Sequence, residues 1–240
     1  MPNTKWKFMN YGYAHLPGSS MPNLPLPSDL EFQRYPLQMY HFLADLGPIK
    51  EKHVLEVGSG RGGGAHYLYH QQNPASYTGI DFSKPAIDFS RRHFQAENLR
   101  FEVGNAERLR FDNEQFEVVL NVESSLHYAN FPAFLSEVKR VLKPGGKLLL
   151  ADFRNSMEIP EFRSALHNSG LSVISEEDIT NNVETSLTYL SDIYQSEIQR
   201  MVPRYFRSYF LEFAALKGSH GYEMFKNKNR TYFRFVLKKS

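Results

Sequence analysis

The chain has no cysteine among its 240 residues, which excludes a disulfide framework, a thiolate zinc site and a cysteine nucleophile. It also lacks any run approaching the roughly 20 apolar residues that a bilayer-spanning helix needs. Lys5 and Lys7 stand near the N-terminus without an apolar stretch behind them, so the segment does not read as a secretory signal. Charge of one sign is scarce: Lys and Arg number 28 against 26 Asp and Glu, a formal charge of +2. That is too small to argue for nucleic acid. Basic residues do not interleave with aromatics on one exposed strand face, as base stacking would require. His66 and His70 stand at i, i+4 but lack a third ligand, so no metal is expected. These absences leave a soluble cytoplasmic protein as the expectation, and 240 residues of ordinary apolar content suit one α/β domain with insertions or one and a half domains.

What is present is an alternation of β-forming runs with helix-compatible stretches, the pattern of a parallel sheet with crossover helices. Strands are expected at 53–58, 76–81, 99–103, 116–122 and 146–152, and helices at 63–71, 84–96 and 131–142. The first thirty residues, rich in Pro and Asn, read as an arm. A helix is expected from Ser28 or Asp29 to about Leu46, interrupted near Pro36. Lys143-Pro144-Gly145-Gly146 reads as a breaker before an apolar strand. A further helix, a strand near 171–177 and a helical excursion over 179–227 precede the closing strand, Thr231–Leu237.

The segment His53–Leu68 concentrates the chemistry. A short β run ends in Gly58, Gly60, Gly62, Gly63 and Gly64, and a helix follows. Such a loop lets a ligand reach bare backbone and the unpaired N–H groups that open a helix. Two patterns fit. Gly58, Gly60 and Gly63 satisfy G-x-G-x-x-G with Asp81 about twenty residues on, as a dinucleotide site requires. Gly58, Gly60 and Gly62 equally satisfy E-x-G-x-G-x-G with Glu56 as its acid, which resembles the first motif of the class I S-adenosylmethionine-dependent methyltransferases. A buried acid is costly without a cation or hydrogen-bond donor. The ammonium and sulfonium of S-adenosylmethionine would meet Glu56, whereas a pyrophosphate would be repelled.

Asp81 ends the second strand and is read as the ribose ligand, with a helix N-cap as its alternative. Asn105 follows the third strand, where it either accepts from the adenine amino group or simply makes a turn. Phe116–Tyr128 is a buried strand whose polar end carries Asn121, Glu123, Ser124, Ser125 and His127. With Lys143–Gly146 and Ala151-Asp152-Phe153, residues 50 to 155 closely resemble a class I small-molecule methyltransferase. Trp6–Tyr13, Glu123-Ser-Ser-x-His127 and Phe213–Ser219 resemble the phthiotriolone ketone methyltransferase type.

The resemblance implies a Rossmann-like, seven-stranded, mostly parallel sheet with an antiparallel last strand, helices on both faces and a helical cap before that strand. It divides the chain into an arm or lid (1–30), a cofactor-binding domain (31–178 with 228–240) and a cap (179–227) shaping the acceptor site. S-adenosylmethionine is the expected donor and S-adenosylhomocysteine the product. Expected cofactor residues are Tyr11, Tyr13, Glu56, Gly58, Ser59, Gly60, Gly62, Asp81, Phe82, Asn105, Ala106, Asn121 and Glu123. His127 is the candidate base, with Asp152 orienting its ring, and a merely cleft-lining histidine is the alternative. The acceptor is expected to be a small or lipid-like molecule, methylated on a hydroxyl oxygen. C-methylation of a sterol, quinone or fatty-acyl acceptor is the alternative, and an NAD-dependent dehydrogenase or a non-catalytic nucleotide-binding module the more distant ones. A homodimer stays open.

Overall fold

The computed structural model describes residues 7–21, 23–28 and 30–240, apart from the side chains of 195–197 and 201. Trp6 and Asp29 therefore lie outside the described residues.

Seven strands form one sheet: β1 (His53–Val57), β2 (Ser76–Asp81), β3 (Leu99–Val103), β4 (Phe116–Val122), β5 (Leu142–Asn155), β6 (Ser172–Asp178) and β7 (Arg230–Lys238). Their order is β3-β2-β1-β4-β5-β7-β6. The pairs β1–β2, β1–β4, β2–β3 and β4–β5 are parallel, whereas β7 runs antiparallel to both β5 and β6. The Rossmann-like sheet with an antiparallel last strand is thus the observed architecture. The strand order reverses at β1 and β4, and the crevice above their carboxyl ends is where open α/β sheets bind ligands.

Both faces are covered, as parallel sheets require. Side chains alternate along each strand. Val54, Val118, Leu120, Leu149, Ala151 and Phe153 join the cluster beneath α1 (Arg34–Ala44), α2 (Gly63–Gln72) and α3 (Lys84–His93). Leu55, Val57, Val119, Leu148 and Leu150 face α4 (Phe131–Val141) and α5 (Ile159–Asn168). A third, smaller cluster knits the segment between β6 and β7, where α6 (Thr180–Met201), α7 (Arg207–Phe213) and α8 (His220–Lys226) lie.

Two local expectations need correction. Pro36 does not interrupt a helix: α1 begins at Arg34, so the missing proline N–H falls in the first turn, where no intrahelical acceptor exists. The breaker at Lys143–Gly146 lies inside β5, as a register shift against β4. Its backbone is held from the other side, because Gly145 N–H donates to Lys239 O and Lys239 N–H to Gly146 O, each at 2.9 Å.

The N-terminal arm is anchored at its centre. Tyr13 N–H donates to Tyr35 O (3.0 Å) and Ala14 N–H to Asn182 O (3.2 Å). Gln38 Nε2 donates to Tyr13 O at 3.2 Å, and Ser186 Oγ to Tyr11 O at 2.8 Å. Residues 11–14 therefore thread between α1 and α6, and residues 7–9 extend from there over the glycine loop.

Candidate active site

The loop after β1 is shaped by what it must admit. Gly58 has φ +81°, and a Cβ there would stand 2.0 Å from Ser124 Oγ. Only glycine lets the ends of β1 and β4 approach this closely. Gly64 meets a second demand, since a Cβ would fall 2.0 Å from the Tyr40 ring. That ring reaches past α2 to Glu56. The Glu56 carboxylate is fully buried and accepts the Tyr40 hydroxyl at 2.7 Å and the Tyr77 hydroxyl at 2.9 Å. Burial pushes its pKa from 4.5 up to about 7, against the lowering effect of the two hydroxyls.

A cavity of about 890 Å³ opens over these strand ends. Of the residues singled out from the sequence, Tyr11, Gly58, Ser59, Gly60, Asp81, Phe82, Asn105, Ala106, Glu123 and His127 line it. Five others lie elsewhere. Glu56 stands behind Tyr40, which is itself a lining residue. Tyr13 is buried and stacked on Phe42, ring centroids 4.0 Å apart. Gly62 is the N-cap of α2, with φ +78°. Asn121 and Asp152 point to the opposite face of the sheet.

Strand parity explains those last two. Asn121 shares a face with Val119, and Asp152 with Leu150, whereas Val122 and Phe153 turn toward the cavity. Asn121 Nδ2 donates to Val57 O and to the Tyr128 hydroxyl, both at 2.8 Å. Asp152 Oδ2 accepts Ser125 Oγ (2.5 Å) and Leu126 N–H (3.0 Å) and pairs with Arg154 at 3.3 Å. The anticipated His127–Asp152 pair is therefore not formed. Among the described residues, the exposed His127 ring makes no hydrogen bond.

Glu123 is the most constrained cavity residue. Its backbone is left-handed, φ +46°, a conformation that costs a non-glycine residue energy and persists only where surroundings enforce it. Oε1 accepts Tyr11 N–H at 2.7 Å and the Tyr232 hydroxyl at 2.9 Å. Burial raises its pKa to about 8, and the nearby Asp152 charge adds to the rise. Asp81 closes the other end: Oδ2 accepts Gly60 N–H and Oδ1 accepts Ser83 N–H, both at 2.8 Å. The N-cap of α3 is Ser83, not Asp81. Asn105 Oδ1 accepts Glu107 N–H at 2.8 Å, as a turn asparagine does.

The donor set fits S-adenosylmethionine. Ser59 Oγ is buried, faces the cavity and has no partner. Bare backbone at Gly58 and Gly60, the Asp81 carboxylate and the Glu123 carboxylate supply sites for an amino-acid moiety and a diol. Sequence reasoning missed Phe153, Glu212 and Arg230, which also line the cavity. Arg230 had a signal: it opens an antiparallel strand, so it lands at the edge where the parallel strands end.

A second cavity of about 910 Å³ adjoins the first, sharing Phe8 through Tyr11, Arg61, Asp81 and Phe213. Its other walls are largely apolar and come from α3, α6 and α7, with Phe89, Leu190, Tyr194, Tyr209, Phe210 and Ala214.

Comparison with known proteins gives the family. Residues 55–150 match the methyltransferase domain family. The chain is 37% identical over 232 residues to a fatty-acid O-methyltransferase of Mycolicibacterium smegmatis, covering 97% of this chain and 83% of the relative. It is 38% identical over 212 residues to a phthiotriol/phenolphthiotriol dimycocerosates methyltransferase of Mycobacterium leprae, covering 88% and 77%. A geranyl diphosphate C-methyltransferase of Streptomyces coelicolor, solved with S-adenosyl-L-homocysteine, superposes with a TM-score of 0.73. It is 17% identical, over 98% of this chain and 94% of that one, and shows the shared fold. The chain belongs to the class I S-adenosylmethionine-dependent methyltransferases.

Proposed function

We propose that this enzyme transfers the methyl group of S-adenosylmethionine to an oxygen of a long-chain, lipid-like acceptor. The observation that carries this reading is the apolar second cavity, continuous with the first at Tyr11 and Phe213. A head group placed against the first cavity would leave an alkyl chain between α3 and the α6–α8 segment, which acts as the acceptor cap. Apolar burial there would contribute about 0.8 kcal/mol per methylene. Oxygen is favoured over carbon by the relative that methylates fatty acids on oxygen, which covers nearly the whole chain.

S-adenosylmethionine supplies an electrophilic methyl on a sulfonium. The chain's residues do the rest by holding geometry. Asp81 with Phe82, Asn105 and Ala106 would hold the nucleoside, and Gly58, Ser59, Gly60 and Glu123 the amino-acid end. The arm, anchored through Tyr11 and Ala14, covers the donor, and Phe8 and Met9 separate it from water. His127 lines the acceptor end without an orienting partner, so it serves there as a polar wall and not as half of a base pair.

The test is Ala214→Trp, which fills the second cavity from α7's end without touching the first. Turnover of a long-chain acceptor should fall at least about tenfold, while turnover of a short-chain analogue and affinity for S-adenosylmethionine stay unchanged. Equal loss for both chain lengths would show that the second cavity is not the acceptor channel. Mass fragmentation of the product separates a methyl ester or ether from a C-methyl product.

A further inference from the structure

Among the described lysines and arginines, Lys7, Arg61, Arg92 and Arg230 border the two cavities. Arg92 Nε donates to Asp88 O at 3.0 Å. The Lys7 ammonium stands over the Phe94 ring at 5.8 Å, and the Arg61 guanidinium over Phe89 at 3.7 Å. Arg230 differs. Its guanidinium lies over Phe153 at 4.7 Å and over Phe225 at 5.3 Å, which screens it from water on those sides. Nε donates to Asn155 Oδ1 at 3.2 Å. Among the described residues no carboxylate comes within ion-pair distance of it, although it lines the cavity. A half-buried guanidinium without a counter-ion is costly unless something anionic meets it.

Tyr11 brings a second donor to the same place. Its ring stacks on Phe153 (5.5 Å) and meets Phe225 edge-on (5.8 Å), so it shares both aromatic neighbours with Arg230. Burial pushes its phenol pKa up, so the hydroxyl stays protonated and can donate. The carboxylates nearby are already engaged. Glu212 accepts the N–H groups of His220 (2.9 Å) and Gly221 (2.8 Å), and Glu123 is held by Tyr11 N–H and Tyr232.

We infer that Arg230, with the Tyr11 hydroxyl, forms an anion subsite that reads the acceptor head group as a carboxylate. This rests on the O-methyl transfer reading above. It also accounts for the missing base. A carboxylate is ionised at neutral pH and needs no proton removed, so the unpartnered His127 is no defect. One carboxylate oxygen forms the new C–O bond as the C–S bond breaks, and that bond's electron pair stays on sulfur as a neutral thioether. No proton moves. The ester is uncharged, so the grip of Arg230 ends with the transfer and product release is favoured.

Wild type, Arg230→Gln and Arg230→Lys are compared with S-adenosylmethionine and either palmitate or hexadecanol, reading methyl ester and methyl ether by mass spectrometry and donor affinity by calorimetry. Wild type should methylate palmitate. R230Q should raise KM for palmitate about tenfold or more without lowering kcat, because the contact serves the ground state. Donor affinity should hold in both variants, and R230K should recover part of the loss. Unchanged palmitate kinetics in R230Q would remove Arg230 from recognition and leave O-methylation standing. Methylation of hexadecanol but not palmitate would overturn the carboxylate subsite alone. Turnover of neither, with the donor bound, would overturn both readings.

Discussion

Glu56 offers a quantitative test of how this core is held together. Its carboxylate is fully buried, and its only polar contacts among the described residues are the Tyr40 and Tyr77 hydroxyls. Folding raises its pKa from the ordinary 4.5 to about 7. Between those values the native protein keeps a proton that the unfolded chain has released. Stability therefore falls as pH rises through this window, and the loss is complete above the folded pKa. The full effect is about 3 kcal/mol for this one group. Glu56→Gln cannot ionise and keeps an oxygen for one tyrosine, at a cost of about 1 kcal/mol for the bond it makes less well. The variant should be slightly less stable than wild type near pH 5 and more stable near pH 8, with the curves crossing between. Urea midpoints of the ligand-free protein, taken across that range, measure this directly, because every other titrating group cancels in the difference. Curves that stay parallel within about 0.5 kcal/mol would refute the argument.

Asp152→Asn leaves Arg154 charged and nearly buried opposite a neutral amide, so it should destabilise the fold by about 3 kcal/mol in chemical denaturation. In the folded variant the Glu123 pKa should fall, because the Asp152 charge that helps raise it is gone, but turnover at the pH optimum should persist, since Asp152 does not touch His127; loss of most turnover would contradict this. Glu123, with a pKa of about 8, is mostly protonated at neutral pH. A sulfonium and an ammonium bound beside it would draw that pKa down, so S-adenosylmethionine binding at pH 7 should release close to one proton. Calorimetry in buffers of different ionisation enthalpy counts it, and Glu123→Gln should abolish it; a wild-type count of zero would place the donor's charge elsewhere.

Much of the frame was legible because α/β alternation writes itself into hydrophobic periodicity. β1, β2, β3 and β4 lie within one residue of the spans expected, since each is a short run carrying apolar β-formers between turn residues. The glycine loop was legible for the same local reason. What failed was information that depends on partners. Periodicity says that Asp152 and Phe153 face opposite ways, but not which of the two sees the cavity. The expectation chose Asp152, and the sheet turned it to the opposite face, onto Ser125, Leu126 and Arg154. Glu56 was rightly read as an acid in need of compensation, yet its partners are hydroxyls from a helix upstream and a neighbouring strand. Nothing in the sequence placed Tyr40 against Gly64. Arg230 had only a positional signal, at the start of the closing antiparallel strand, and it stands far along the chain from every motif.

The two bonds on Glu123 Oε1 also bear on how the enzyme comes into being. Their donors, Tyr11 and Tyr232, stand 112 residues before and 109 residues after it. Contacts of such sequence separation are the slowest to form, because loop closure must precede any gain. With Glu123 in its proposed role, the donor pocket depends on both remote arms of the chain arriving at one atom. During synthesis, the sheet from β1 to β5 can assemble while the pocket is still missing its C-terminal wall. Affinity for the methyl donor would then appear only with the finished fold. Donor binding would act as a molecular check on complete assembly, and a tag or truncation that disturbs either remote segment would be felt in catalysis before it is felt in the core.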